Sequence, residues 1–295
     1  MRLAIIVNPI SGWKGRRSTT GAERVAHAQR LVVDRPEVHA EIVATTAAGH
    51  AAELSQGFVA RGFDVVMAWG GDGTVNEVAG PLIGTGAALG IVPSGSGDGL
   101  AGSLGLPKET TSAFAEAVAG RSGRMDVGYL GERHFLNTAG IGFDAAVVAD
   151  FNASRRRGLA GYLTRVTRMV WRYEACHYEL RLDDEPRDGV HMMIAFANGR
   201  EYGNRMYLAS HADAQDGWLD AVVVAEGPPW RQLWRARRLF FAPGHPVDGI
   251  AHIRVKHASI TGAHLQCHVD GESFAANGTL EVRIVPGAIR VCGLT

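Results

Sequence analysis

The chain has 295 residues, 46% of them hydrophobic and 20% charged, which excludes a wholly disordered protein and allows a sizeable core without cross-links. Thirty Lys and Arg balance thirty Asp and Glu, so neither nucleic acid nor an anionic membrane would attract the molecule as a whole. Glycine is the outlier at 38 residues, about 13% against a usual share of roughly 7%.

In chain order, Leu3–Val7, Glu41–Ala44, Val65–Trp69 and Leu89–Val92 are short apolar runs that read as buried strands. Between and after them, Thr19–Val33, Ala48–Gly62, Thr74–Ile83 and Thr111–Ala119 read as helices. Strand–helix alternation predicts a three-layer α/β domain with a mostly parallel sheet, whose ligands bind at the carboxyl ends of the strands. Beyond about Gly123 the texture changes. Met125–Leu130, Phe135–Ala139, His177–Leu182, His191–Ala197, Leu219–Ala225, Ile253–Val255 and Leu280–Val285 read as strands, interrupted by helical patterns at Gly158–Tyr173 and Trp230–Phe241. A C-terminal β-sandwich domain is expected there, with the boundary near Arg121–Arg124.

The start has five apolar residues before Asn8-Pro9, shorter than a signal-peptide core, and no apolar run approaches the length of a transmembrane segment. Three cysteines without a CxxC pair argue against a disulfide framework or zinc ribbon and for a reducing, cytoplasmic setting. The 12 histidines form no HxH or HExxH, so each is expected on the surface or packed in the core.

The strongest chemical signal is Gly70-Gly71-Asp72-Gly73-Thr74-Val75-Asn76-Glu77, directly after a strand. Clustered glycines let backbone approach a bulky anion, and the amino end of the following helix, with Thr74 as its expected cap, favours phosphate. Asp72 would add a hard oxygen suited to a magnesium-associated nucleotide. The plain alternative is a tight strand-to-helix turn. A second loop, Pro93-Ser94-Gly95-Ser96-Gly97-Asp98-Gly99, follows the next strand. Its Gly97-x-Gly99-x-x-Gly102 begins too far past the strand for a dinucleotide turn, and Ser103 stands where a Walker loop needs Lys.

Five motifs then share one order: NPxSG at Asn8–Gly12, GGDGTxNE at Gly70–Glu77, PxGSG at Pro93–Gly97, FLNxAGIGFDA at Phe135–Ala145 and VDGE at Val269–Glu272. Together the chain resembles the diacylglycerol kinase/sphingosine kinase family of lipid kinases in its compact bacterial form, from about residue 2 to residue 292. The resemblance implies domains at 1–123 (with 286–295) and 124–285, and an ATP site that Gly70, Gly71, Asp72, Gly73, Thr74, Asn76, Asn8, Thr45 and Ser96 would line. It implies Mg²⁺ with the nucleotide, Asp72 placing metal and triphosphate, and Glu272 as catalytic base. Asp213-Ala214-Gln215-Asp216-Gly217-Trp218 resembles a structural metal loop in which Asp216 gives its carboxylate and Asp213 and Trp218 give oxygens. A hairpin turn accounts for that segment equally. One departure stands out: where diacylglycerol kinases read GTxND, this chain has Ser96 and Asp98, and a carboxylate at 98 would repel triphosphate unless compensated.

Two basic stretches bear on the acceptor, Ser154–Tyr173 and Trp230–Phe241. Arginines beside an apolar, Trp-rich face suit an anionic bilayer; the alternative is a helix packed on the sandwich with solvated arginines. The expected activity is ATP-dependent phosphorylation of a lipid hydroxyl, diacylglycerol or sphingoid-like, presented at a membrane surface. No nucleic-acid-reading motif occurs, and a homodimer is left open. The rivals are an NAD-kinase-like enzyme with a soluble acceptor, which needs a polar second-domain pocket, and a non-catalytic lipid- or nucleotide-binding protein on a kinase scaffold.

Overall fold

The computed structural model describes residues 1–11, 21–153, 159–241 and 245–294. Gly12 of the first motif, Thr19 and Thr20 of the first expected helix, and the basic run Arg155–Arg157 lie outside the described residues. Two compact units divide the chain, one of Met1–Met125 with Gly287–Thr295 and one of Asp126–Pro286.

The first unit alternates β1 (Arg2–Val7), α1 (Gly21–Val33), β2 (His39–Ala44), α2 (His50–Ala60), β3 (Val65–Gly70), α3 (Asp72–Ala79), β4 (Ala88–Pro93), α4 (Gly99–Ser103) and α5 (Thr110–Val118). The strands pair in parallel in the order β2-β1-β3-β4, and the chain's last strand adds beside β4, with Arg290 opposite Ala88. Leu3 to Val7 are fully buried on both faces of β1, as helix-covered parallel sheets require. Leu3, Ile5 and Val7 share a core with Met67, Trp69, Ala28 of α1 and Phe114 of α5. Each such aliphatic side chain contributes roughly 1.5–3 kcal/mol by burial.

The second unit begins within β5 (Ser122–Leu130) and continues with β6 (Arg133–Phe135), β7 (Thr138–Gly142), α6 (Phe143–Ala153), α7 (Leu159–Met169), β8 (Cys176–Leu182), β9 (Glu185–Pro186) and β10 (Gly189–Ala197). After these come β11 (Glu201–Gly203), β12 (Met206–Tyr207), β13 (Leu219–Ala225), α8 (Pro229–Phe241), β14 (Ile250–Val255), β15 (His257–Val269) and β16 (Glu272–Cys292). Its main path runs β14-β13-β10-β7-β15-β16, while β8 bridges the far ends of β10 and β15. The long strands β10 and β15 are thus shared by both layers of a β-sandwich, around a core that includes Phe135, Ile141, Tyr178, Leu180, Phe196 and Ile260.

Three expectations change. The single strand expected over Phe135–Ala139 is two, because the amides of Leu136, Asn137 and Thr138 turn away to the Asp270 carboxylate. Helix α6 was hidden by a nearly unpatterned apolar run, Phe143–Val148, that is buried almost all round. Strand β15 was obscured by its Thr, His and Gly content and by a register shift between Gly262 and Leu265.

Candidate functional site

In the first unit the four parallel strands end in one row, which brings together segments far apart in sequence. Val7 lies level with Ala44 and Trp69, and Gly70 with Pro93, so Asn8, Thr45, Gly71 and Ser94 follow at the same edge. Asn8 and Thr74 are joined there: Asn8 Nδ2 donates to Thr74 Oγ1 at 2.8 Å. Thr74 is therefore not the helix cap. Gly71 occupies that position in extended geometry, and Thr74 sits inside the first turn. Thr45 is buried, its N–H held by Val7 O at 2.9 Å, while Gly73 and Asn76 are half-buried in α3 and Ser96 is exposed.

The two glycine loops pack backbone to backbone. A Cβ on Gly71 would lie 3.0 Å from the Cα of Gly95, and a Cβ on Gly95 would lie 2.7 Å from the Cα of Gly71. Only glycine at both positions permits this approach. Asp72 then clamps the pair, its carboxylate accepting from the amides of Gly99 at 3.1 Å and Leu100 at 3.2 Å. Asp98 adopts a left-handed φ of 47° and accepts from Gly95 N at 2.8 Å. Burial, and secondarily the charge of Asp72, push the Asp98 carboxyl up to about 6.

Two further residues, not singled out for these roles from the sequence, complete this unit. Arg24 of α1 is buried and donates to Asn8 O at 2.8 Å and to Ser11 O at 2.6 Å, binding α1 to the loop after β1. Glu77, the last residue of the first glycine motif, accepts from Gly49 N at 3.0 Å and Ala51 N at 3.2 Å, so it caps α2.

In the second unit Glu272 is exposed directly after a two-residue hairpin turn. Asp270 (φ 45°) and Gly271 (φ 85°) are both left-handed, the Asp-Gly signature of the tight hairpin. Asp270 does not face outward with Glu272. Its carboxylate accepts from Leu136 N at 2.7 Å and from Asn137 N and Thr138 N, each at 2.9 Å. Asn152 Nδ2, near the end of α6, donates to Gly271 O at 2.8 Å.

The Asp213–Trp218 loop is held by its own contacts. Asp213 Oδ1 accepts from Gln215 N at 3.1 Å, Asp216 Oδ1 accepts from Trp218 N at 3.0 Å, and the other Asp216 oxygen pairs with Arg254. Buried Asp126 anchors it from β5, accepting from Gly217 N at 2.7 Å. Arg254 and Lys256 lie over the Trp218 ring. Among the described residues no three His, Cys, Asp or Glu side chains gather as a metal cage. The carboxylate expected to bind the metal, that of Asp216, faces the Arg254 guanidinium.

Beside the sandwich, α6, α7, α8 and strands β10, β13 and β14 line a pocket that is partly open to solvent. Val166, Val170, Met192, Met193, Leu239 and Phe240 supply much of an apolar lining, and Asp144, Gln232 and Arg235 are its polar members among the described residues. Helix α8 has two sides. Gln232 and Arg235 are buried and donate to Ala225 O, each at 2.9 Å, whereas Trp230, Arg231, Trp234, Arg237 and Phe241 are exposed along one stripe. In α7, Arg165 pairs with Asp150 at 2.7 Å. Among the described residues no helix is long and apolar enough to cross a membrane.

Known proteins share this arrangement. A family profile described as the diacylglycerol kinase catalytic domain matches residues 2–130, and one described as the YegS C-terminal NAD kinase beta sandwich-like domain matches residues 137–293. The chain is 33% identical to the "Probable lipid kinase YegS-like" protein of Chromohalobacter salexigens, over 81% of this chain and 78% of that one. It is 28% identical to the diacylglycerol kinase of Mycobacterium tuberculosis, over 98% of this chain and 94% of its relative. A crystal structure of a diacylglycerol kinase from Bacillus anthracis matches with a TM-score of 0.75 at 21% identity, covering 99% of this chain and 96% of that one, which shows a shared fold. With its glycine-loop α/β unit matching the first profile and its β-sandwich the second, the chain belongs to the diacylglycerol kinase and YegS-like family of lipid kinases.

Proposed function

We propose that this chain transfers the γ-phosphoryl group of ATP to the hydroxyl of a diacylglycerol or sphingoid-like lipid, with Glu272 accepting the hydroxyl proton. The acceptor oxygen forms a bond to the γ-phosphorus as the bond to the bridging oxygen breaks, and ADP leaves. In such a loose transition state the proton leaves late, so positioning contributes more than basicity. The observation that carries the reading is the apolar pocket in the second unit. Its apolar lining suits hydrocarbon, where an NAD-type acceptor would need hydrogen-bonding walls.

In the first unit, the paired glycine loops would cradle phosphates with backbone amides, and Asp72 holds the second loop against the first. Mg²⁺ arriving with ATP would shield the phosphate charge. The mutual repulsion of Asp72 and Asp98 makes this edge hospitable to a cation, and those two carboxylates are the residues that would hold it. The exposed Trp230, Trp234 and Phe241 stripe with Arg231 and Arg237 supports lipid presentation at an anionic membrane surface.

The test is transfer of label from γ-labelled ATP to a panel of lipids in mixed micelles with Mg²⁺. Glu272→Ala should lower kcat roughly 10²- to 10⁴-fold with the KM for ATP little changed. Undiminished lipid labelling by both Glu272→Ala and Asp72→Ala would overturn the reading, and phosphorylation of NAD with no lipid product would replace it.

A further inference from the structure

The sandwich contains a buried polar pair that the transfer chemistry above does not use. Asp144, in the first turn of α6, is 4% exposed, and His268, in β15, is 1% exposed. His268 Nε2–H donates to Asp144 Oδ2 at 2.9 Å, and Tyr202 Oη donates to Asp144 Oδ1 at 3.4 Å. The other imidazole nitrogen, Nδ1, is buried with no hydrogen-bond partner among the described residues. The ring's directional hold on the fold therefore runs through Nε2. A buried polar group left unpaired costs free energy, so the pair resists separation.

Space for it is made by one missing side chain. A Cβ on Gly140 would lie 2.2 Å from Asp144 Oδ2 and 2.6 Å from His268 Nε2. Gly140 and His268 stand opposite each other in the ladder between β7 and β15, so the pair spans strand and helix where the two meet.

Its two ends touch different things. Asp144 lines the apolar pocket. His268 stands four residues before Glu272, opposite Ser273 across the hairpin. Helix α6 thus grips that hairpin twice, through Asp144 at its start and through Asn152 on Gly271 O near its end. A direct hydrogen bond joins the wall of the pocket to β15, the strand that runs into the hairpin turn before Glu272.

We propose that Asp144 and His268 are positioning residues that hold the Glu272 turn in register with a lipid lodged in the apolar pocket. This rests on the reading of Glu272 and of the pocket given above. Neither side chain takes the proton; both act through the placement of Glu272, and misplacement of a reacting group by about 1 Å can cost on the order of 10²-fold.

The decisive comparison is His268→Gln against His268→Asn in the full-length protein, in the micelle assay. A Gln amide nitrogen reaches the place of Nε2, whereas an Asn amide stops at the place of Nδ1 and cannot reach Asp144. Expected are a kcat within about threefold of the parent for His268→Gln and roughly 10- to 100-fold lower for His268→Asn, with the KM for ATP within about twofold in both. A merely structural role would move thermal stability without that split between kcat and KM. Asp144→Asn against Asp144→Ala repeats the comparison from the other side and decides it where His268→Asn does not fold. Equal activity in the reaching and non-reaching variants, whether both full or both lost, overturns the proposal. Glu272→Ala runs alongside: if it keeps activity, the reading of Glu272 fails; if it alone is inactive while His268→Asn is unimpaired, only the positioning pair fails.

Discussion

The loop after Trp69 and the turn after Val269 both place an aspartate beside a glycine, and in both the aspartate is occupied by a neighbouring stretch of backbone. Asp72 takes the amides of Gly99 and Leu100; Asp270 takes those of Leu136, Asn137 and Thr138. What differs is why glycine is needed. At Gly71 it is needed for room, since Gly95 lies against it; at Gly271 it is needed for a left-handed φ of 85° with nothing within 4 Å. Similar short motifs thus do the same mechanical task by different means. In each, the motif aspartate is a clamp.

The comparison breaks most sharply at the two clamps themselves. Asp270→Ala strands three amides and should destabilise the protein by about 2–4 kcal/mol in denaturant unfolding, whereas Asp72→Ala strands two and should cost about 1–2 kcal/mol. Equal losses would mean that solvent satisfies the amides in both places.

Next in size are the glycines. Gly95→Ala drives a Cβ to 2.7 Å from both the Gly71 Cα and Asp98 Oδ1, an overpacking expected to cost about 1–3 kcal/mol and to weaken nucleotide binding. Gly271→Ala should cost about 1–2 kcal/mol from backbone strain alone and leave ATP binding unchanged. Isothermal titration with an ATP analogue, beside thermal unfolding, separates the two.

The smallest effect is a gain. The second glycine loop and the hairpin turn each carry a left-handed aspartate, Asp98 and Asp270, and burial, with the charge of Asp72, raises Asp98 to about 6. The folded state therefore holds its proton above the usual carboxylate range. Its contribution favours folding at low pH and is lost as pH rises from about 4 through about 6. Asp98→Asn keeps the acceptor for Gly95 N and tolerates the left-handed φ, so it should raise stability by about 1 kcal/mol at pH 8 and by nothing at pH 4. A pH-independent gain would contradict the ionisation account.

Much of the first unit was legible. Leu3–Val7, Val65–Trp69 and Leu89–Val92 are continuous apolar runs, which is what strands buried on both faces must be, and each came within one or two residues of its observed bounds. The second unit was harder. Helix α6 shows hardly any amphipathic pattern because its first half is buried nearly all round and its second half is largely exposed, and β15 breaks its alternation at Gly262. The scattered histidines gave no hint that one of them meets Asp144, since the partners lie 124 residues apart. Glu77 was read as part of a nucleotide motif and serves to cap α2; the signal for that, a glycine-led helix without its own capping side chain, is visible only once α2 and α3 are packed.

By itself the sequence determined most strands and helices of the first unit, the two glycine loops and the family, because these depend on local periodicity, on backbone freedom and on motif order along the chain. Tertiary structure alone decided which carboxylates are clamps, that Gly71 must face Gly95, that Arg254 pairs with Asp216, and that a buried histidine joins the apolar pocket to the Glu272 turn. Hydrogen bonds and close contacts between residues tens to more than a hundred positions apart leave no periodic trace in a chain; they exist only after the sheets have brought their ends together.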